Sequence, residues 1–275
     1  AAGAECPIEI WMSDLNREKS IAAMKAEKQA LLDKRWTVRD PNTLSDKAKK
    51  LAARARYVNV TKRDGRHKSR IVLTTPDRAI QVHEDTYAGV PPTEGFFLML
   101  ADTNLAEHEV GTTDFDTCFL QTRKYADGQT FVVKIWEPET DLTEFYDCDG
   151  PQYGGFDVPK CWKTELKHTL MNKGFEECAN APSMYVRMNP PTHAIVSVHV
   201  DDPIIRCRRR NDGTSELDEI YEELKKHYLV KELQRLTPDH SIDYLSMKLT
   251  VDSSNNIRID NDSKVEKMLL DAGLS

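Results

Sequence analysis

Two adjacent aspartates, Asp201 and Asp202, stand inside "IVSVHVDDPII", a run of β-branched residues at 195–205. Neighbouring carboxylates in a half-buried strand repel each other, and this costs free energy unless a cation or a hydrogen-bond network holds them. Asp114, at the end of the strand predicted for "HEVGTTDFDTCFL", supplies a third carboxylate. Three carboxylates from two neighbouring strands offer the hard oxygen ligands that two Mg²⁺ ions require, with Mn²⁺ as an alternative. Such a metal pair, roughly 3.5–4 Å apart, activates an attacking hydroxyl and stabilises a leaving phosphate oxygen. By itself an adjacent Asp pair more commonly caps a turn. Asp114 and a basic hairpin upstream shift the balance towards metal.

That hairpin is read from "ARYVNVTKRDGRHKSRIVLTT", in which alternating β-branched runs flank Asp64-Gly65. Lys62, Arg63, Arg66, Lys68 and Arg70 crowd its tip and second strand. A solubilised edge and an anion site explain this density about equally well. Around these residues the pattern predicts helices over 11–34, 44–54 and the stretch after Pro91-Pro92, another from Pro159 to Met171 with Gly174 as its C-cap, and a fifth from an N-cap at Ser215 to His227. A last helix starts near Asp262. "SMYVRMNPPTHAIVSVHV" reads as a hairpin leading into the Asp pair, and "SIDYLSMKLTVDSSNNIRI" as another, turned at 253–256. Pro203 removes a ladder donor and suggests an edge or a bulge. Mixed helices and hairpins predict an α+β fold on an antiparallel sheet, not a doubly wound parallel one.

The 275 residues, 39% hydrophobic and 30% charged, describe a soluble globular chain with room for a substantial core. No apolar run approaches the ~20 residues of a membrane span. The start lacks Met and a signal-peptide layout, so the expectation is an internal fragment or a processed chain. Six scattered cysteines without a C-x-x-C pair argue against a zinc ribbon and for an intracellular, reducing compartment, cytoplasm or nucleus, with an organelle as the alternative. The net charge of −7 counts mildly against a nucleic-acid binder, although binding depends on a local groove.

The order of segments resembles the reverse transcriptase of copia-type LTR retrotransposons. Trp36 and Pro41 precede "KSRIV" at 68–72, followed by "DTYAG" at 85–89, "DFDTCFL" at 114–120, "QYGGFDVPKCW" at 152–162, "HVDD" at 199–202, and the thumb-like "YLVKELQ" and "YLSMKL". The resemblance implies a right-hand polymerase: a palm, an antiparallel sheet backed by helices, with fingers and a partial thumb. Residues 1–90 would be fingers-like, 91–210 the palm with a fingers insertion near 140–175, and 211–275 the palm end and thumb-like region. Asp114, Asp201 and Asp202 would be catalytic and would hold two Mg²⁺ ions, with the Phe115 carbonyl as a further ligand. Lys68 and Arg70 would grip the nucleotide triphosphate. Phe119 would lie under the sugar, and Asp157 would occupy the nucleotide-binding position of a family Gln. The implied reaction is dNTP addition to a DNA primer on an RNA template, without membrane involvement and alongside other polyprotein domains or subunits.

Departures from the family pattern point elsewhere. Asp157 would repel a triphosphate. Gly95 stands where Arg is usual, and Ser246 where Gly is usual. A second reading is therefore a domesticated, inactive domain serving as an RNA-binding or scaffold subunit of a larger assembly. A third is an unrelated α+β metal-dependent hydrolase, for which only His199 offers a base beside the Asp pair.

Overall fold

The structure is a computed structural model and describes residues 17–62, 65–74, 88–124, 129–155, 158–188, 193–261, 265 and 268–269. The chain forms two compact units, one from Ala1–Tyr87 and Phe119–Trp162, the other from Ala88–Cys118 and Lys163–Ser275.

In the first unit the Ala-, Lys- and Glu-rich stretch forms helix α1 (Arg17–Lys34), whose Ser20, Met24 and Leu31 turn one face inward at helical spacing. It packs on a five-stranded sheet of β1 (Trp36–Val38), β2 (Ala53–Thr61), β3 (His67–Leu73), β5 (Phe131–Glu137) and β6 (Leu142–Cys148), ordered β1-β6-β5-β2-β3. Only β2 and β5 run parallel. Met24, Leu31, Trp36, Ile71, Val133, Ile135 and Tyr146 form the core beneath the helix. The predicted basic hairpin is β2–β3, with Gly65 at φ +79° in its turn. The helix expected over 44–54 is shorter: α2 spans Asp46–Leu51 behind its Ser45 cap, because Ala52 turns extended and Ala53 already joins β2.

The second unit holds helix α3 (Thr93–Ala101) and a six-stranded antiparallel sheet of β4 (His108–Thr112), β7 (Glu176–Cys178), β8 (Ala181–Arg187), β9 (Ala194–His199), β10 (Asp202–Arg208) and β11 (Gln234–Arg235), ordered β11-β4-β10-β9-β8-β7. Helix α4 (Val158–Met171) ends where Gly174 takes φ +78°, as the C-cap reading requires. Helix α5 (Glu216–His227) begins at the predicted Ser215 cap, with acids in its first turn and bases in its last. A small sheet of β12 (Ile242–Tyr244), β13 (Met247–Val251) and β14 (Ile257–Asp260) completes the described elements, and its second turn includes the predicted 253–256.

Two expectations change. The strand read through Asp114 and Asp116 stops at Thr112, and Cys118–Gln121 form a 3₁₀ turn. Pro203 does not mark an edge: β10 lies between β4 and β9. Pairing with β4 begins only at Ile204, so the missing N–H falls before that ladder starts. The helix expected from Asp262 falls largely outside the described residues.

Two consequences are open to measurement. Between β12 and β13, Leu245 and Ser246 both take positive φ, +50° and +66°, in a two-residue turn. A left-handed non-glycine residue costs roughly 1 kcal/mol, so Ser246→Gly should stabilise the fold by about 0.5–1 kcal/mol in a denaturant titration. An unchanged or lower midpoint would refute this. Separately, Glu177 accepts from Lys167 (2.7 Å), Lys163 (3.0 Å) and the Ser183 N–H (2.9 Å), and these donors outweigh its burial to hold its carboxyl at about 2. A depressed carboxyl stabilises the fold above the unfolded value of about 4.3 and loses that contribution as pH falls towards 2. Wild type should thus lose more stability than Glu177→Gln between pH 5 and pH 2.

Candidate active site

The Asp pair is positioned by the β9–β10 hairpin. His199 and Asp202 form its last pair, leaving Val200 and Asp201 as the turn. Val200 takes φ +59° while Asp201 does not have positive φ, the pattern of a II′ turn, where glycine is the usual occupant. A β-branched residue there is a marked backbone outlier and costs about 1–3 kcal/mol. Neighbouring contacts over-determine the turn. The Phe115 N–H donates to the Asp201 carbonyl at 2.9 Å, the Thr113 N–H to the Pro203 carbonyl at 3.4 Å, and the Thr112 hydroxyl to the same carbonyl at 2.8 Å. The Tyr244 hydroxyl donates to the Asp202 carbonyl at 3.1 Å.

Asp114 follows the end of β4, the strand beside β10. A second extended segment, 229–231, flanks it. The Lys231 N–H donates to the Asp114 carbonyl at 2.9 Å, the Asp116 N–H to the Leu229 carbonyl at 3.0 Å, and the Thr113 hydroxyl to the Lys231 carbonyl at 2.7 Å. The Lys231 ammonium forms an ion pair with the Asp114 carboxylate. Phe115 is buried, its ring edge-on to Tyr228 at 5.5 Å.

The three carboxylates share one electrostatic neighbourhood. Burial pushes the Asp202 carboxyl up to about 6, and the negative charges of Asp201 and then Asp114 push it the same way, against His199 and Lys231. Repulsion reaches farther than shared ligation: among the described residues no three Asp, Glu, His or Cys side chains converge on a single metal position. By its chemistry the donor set fits a hard divalent cation, being all carboxylate and destabilised by its own charge. The Lys231 ammonium offsets the charge of Asp114. Lys231 and Tyr244 escaped sequence reasoning, since each meets the site through contacts distant in sequence. The lysine of "YLVKELQ" was the available signal.

The other predicted site residues lie in the first unit. Lys68 and Arg70 sit on β3, and the Arg70 guanidinium lies 5.6 Å from the Tyr153 ring centre. Phe119 meets the same ring edge-on at 5.4 Å. Asp157 lies outside the described residues. A Cβ at Gly95 would stand 2.6 Å from the Met184 sulfur, so that flexible side chain would have to shift.

An α+β chain whose antiparallel sheet carries paired aspartates at a hairpin tip, beside a third just past the end of the adjoining strand, has the architecture of a right-hand polymerase. Solved structures agree on the fold. An apo telomerase from Candida tropicalis superposes with a TM-score of 0.52 at 9% identity, over 88% of this chain and 53% of that one. A form of it truncated at the C-terminal domain gives 0.50 at 8%, over 90% and 62%. Telomerase from Candida albicans, solved with a fragment of telomeric RNA, gives 0.50 at 8%, over 89% and 51%. The chain therefore spans between about half and three-fifths of those proteins. The model of the reverse transcriptase (RNA-dependent DNA polymerase) family matches residues 38–275, and the chain belongs to that family. No curated protein sequence matches it. Among the described residues no helix is long and apolar enough to cross a membrane.

Proposed function

We propose that this chain is the polymerase domain of a copia-type retrotransposon reverse transcriptase, adding dNTPs to a DNA primer 3′-hydroxyl along an RNA template. The observation that supports the reading is the strained Val200–Asp201 turn, which carries two carboxylates within the electrostatic reach of Asp114. Asp114, Asp201 and Asp202 would hold Mg²⁺, with the Phe115 carbonyl as a further oxygen. When bound, the ions supply activation of the hydroxyl and neutralisation of the leaving phosphate. The remaining work falls to the chain. Lys68 and Arg70 take the triphosphate by charge-assisted hydrogen bonds. Phe119, braced by Tyr153, bears on the sugar. Lys231 pairs with the Asp114 carboxylate and offsets its charge.

One observation favours a second reading, an inactive RNA-binding or scaffold subunit. The Lys231 ammonium already satisfies Asp114, and the described carboxylates do not converge on one ion. Primer extension on an RNA template with Mg²⁺ or Mn²⁺ separates the two. Template-directed extension supports the polymerase. A folded, RNA-binding protein that extends nothing supports the scaffold.

A further inference from the structure

The ring of Tyr153 contacts two side chains assigned to opposite ends of the nucleotide. The Arg70 guanidinium lies over it 5.6 Å from its centre, within cation–π reach, and Phe119 meets it edge-on with ring centres 5.4 Å apart. All three residues belong to the first unit. The segment that carries the ring is fastened along the edge of the five-stranded sheet. The Leu73 N–H donates to the Tyr153 carbonyl at 2.7 Å, and the buried Gln152 amide donates to the Ile71 carbonyl at 2.9 Å, both on the outermost strand β3. Gly154 permits this close approach: its φ is +89°, and a Cβ there would run into the Leu73 backbone. The Gly155 N–H then closes the turn on the Gln152 carbonyl at 2.9 Å. Phe119 is anchored separately. It sits in the 3₁₀ turn Cys118–Gln121, its carbonyl accepts from the Thr122 hydroxyl at 2.9 Å, and the Arg35 guanidinium donates to the Thr122 carbonyl. Both backbones are thus fixed, and the half-buried Tyr153 ring joins the two side chains.

We propose that Tyr153 is a positioning residue of the nucleotide site, holding Phe119 at the sugar and Arg70 at the triphosphate, and thereby setting the preference for deoxynucleotides over ribonucleotides. The proposal rests on the polymerase reading for the roles of Phe119 and Arg70. A phenylalanine rejects a 2′-hydroxyl only by contact, so its ring must be kept from rotating away. Such a constellation works when its supporting residues hold it within about 0.5 Å. An arginine already restrained against an aromatic face also loses less rotamer entropy when it binds phosphate. Both contacts are made by the ring of Tyr153, so the ring and not the hydroxyl carries the effect.

The test uses the full chain with a primed RNA template and Mg²⁺. Primer extension with dATP or ATP gives kcat and KM for each sugar. Equilibrium dialysis of the labelled nucleotides, with a primer lacking its 3′-hydroxyl, reads binding without turnover. Tyr153→Leu should raise the KM for dATP about tenfold with kcat within about twofold, and lower the preference for dATP over ATP about tenfold. Tyr153→Phe keeps the ring and should match wild type in both. In a Phe119→Leu background, Tyr153→Leu should lower the preference no further, whereas a merely structural loss would add to it. Thermal melts check folding, and Tyr153→His, with a smaller ring, replaces the leucine variant if that one does not fold; its effects should run in the same direction. Wild-type KM and preference in Tyr153→Leu overturn the proposal and leave the polymerase, as does an equal loss in Tyr153→Phe. Binding that prefers dATP in a Tyr153-dependent way, without extension by wild type, would leave the positioning role standing and remove the polymerase. Neither extension nor dATP-selective binding by wild type would remove both.

Discussion

Asp202→Asn is expected to reduce primer extension by on the order of 10³-fold, about 4 kcal/mol of transition-state stabilisation, while leaving the fold intact. Asn keeps the shape and one oxygen but removes the charge that a divalent cation requires. The same change should raise stability in metal-free buffer. Burial first, and then the charges of Asp201 and Asp114, push the Asp202 carboxyl up to about 6, so a neutral side chain relieves desolvation and repulsion together. Opposite signs for activity and stability distinguish a functional carboxylate from a structural one. Single-turnover extension and a thermal melt on the same preparation give both. A variant that keeps full extension, or loses stability along with activity, contradicts the assignment.

Arg187→Met should be the most destabilising exchange away from the site. Glu216 is wholly buried, and its Oε1 accepts from Arg187 Nη2 at 2.5 Å and Nε at 3.2 Å, while its Oε2 has no hydrogen-bond partner among the described residues. The guanidinium also stacks over Phe175 at 4.7 Å and donates to the Lys173 carbonyl at 3.1 Å. Removing it strands a carboxylate in the interior, a loss of about 3–5 kcal/mol. For a chain of this size the melting midpoint should fall by roughly 10 °C. Arg187→Met combined with Glu216→Leu should recover most of that loss, because two apolar groups leave no unpaired charge. A double variant as unstable as the single one would show that packing, and not the buried charge, carries the effect.

Much of this was legible in the sequence because it is local. Asp64-Gly65 between β-branched runs defines the β2–β3 hairpin, Ser215 announces α5, and Gly174 ends α4. The Asp pair was placed at the correct hairpin tip for the same reason. What escaped depends on residues far apart in the chain. Asp114 lies beyond its strand, where its backbone bonds to segment 229–231, and no local pattern encodes that pairing. Pro203 looked like an edge residue because its missing N–H is a local fact, whereas which ladder begins at Ile204 is a tertiary one. Lys231 could be read as a motif letter, but not as the counter-ion of a carboxylate so distant in sequence.

The order in which the strands meet also bears on synthesis. β4 carries the approach to Asp114, yet its partners are β10 at 202–208 and β11 at 234–235. A ribosome adding residues at about 5–20 per second leaves β4 unpaired for several seconds before β10 emerges. The first unit is complete once residue 162 has been made, so it can fold while the carboxylate sheet is still waiting. During that interval β4 is an unpaired strand edge, a surface that chaperones would hold and to which truncated products would aggregate.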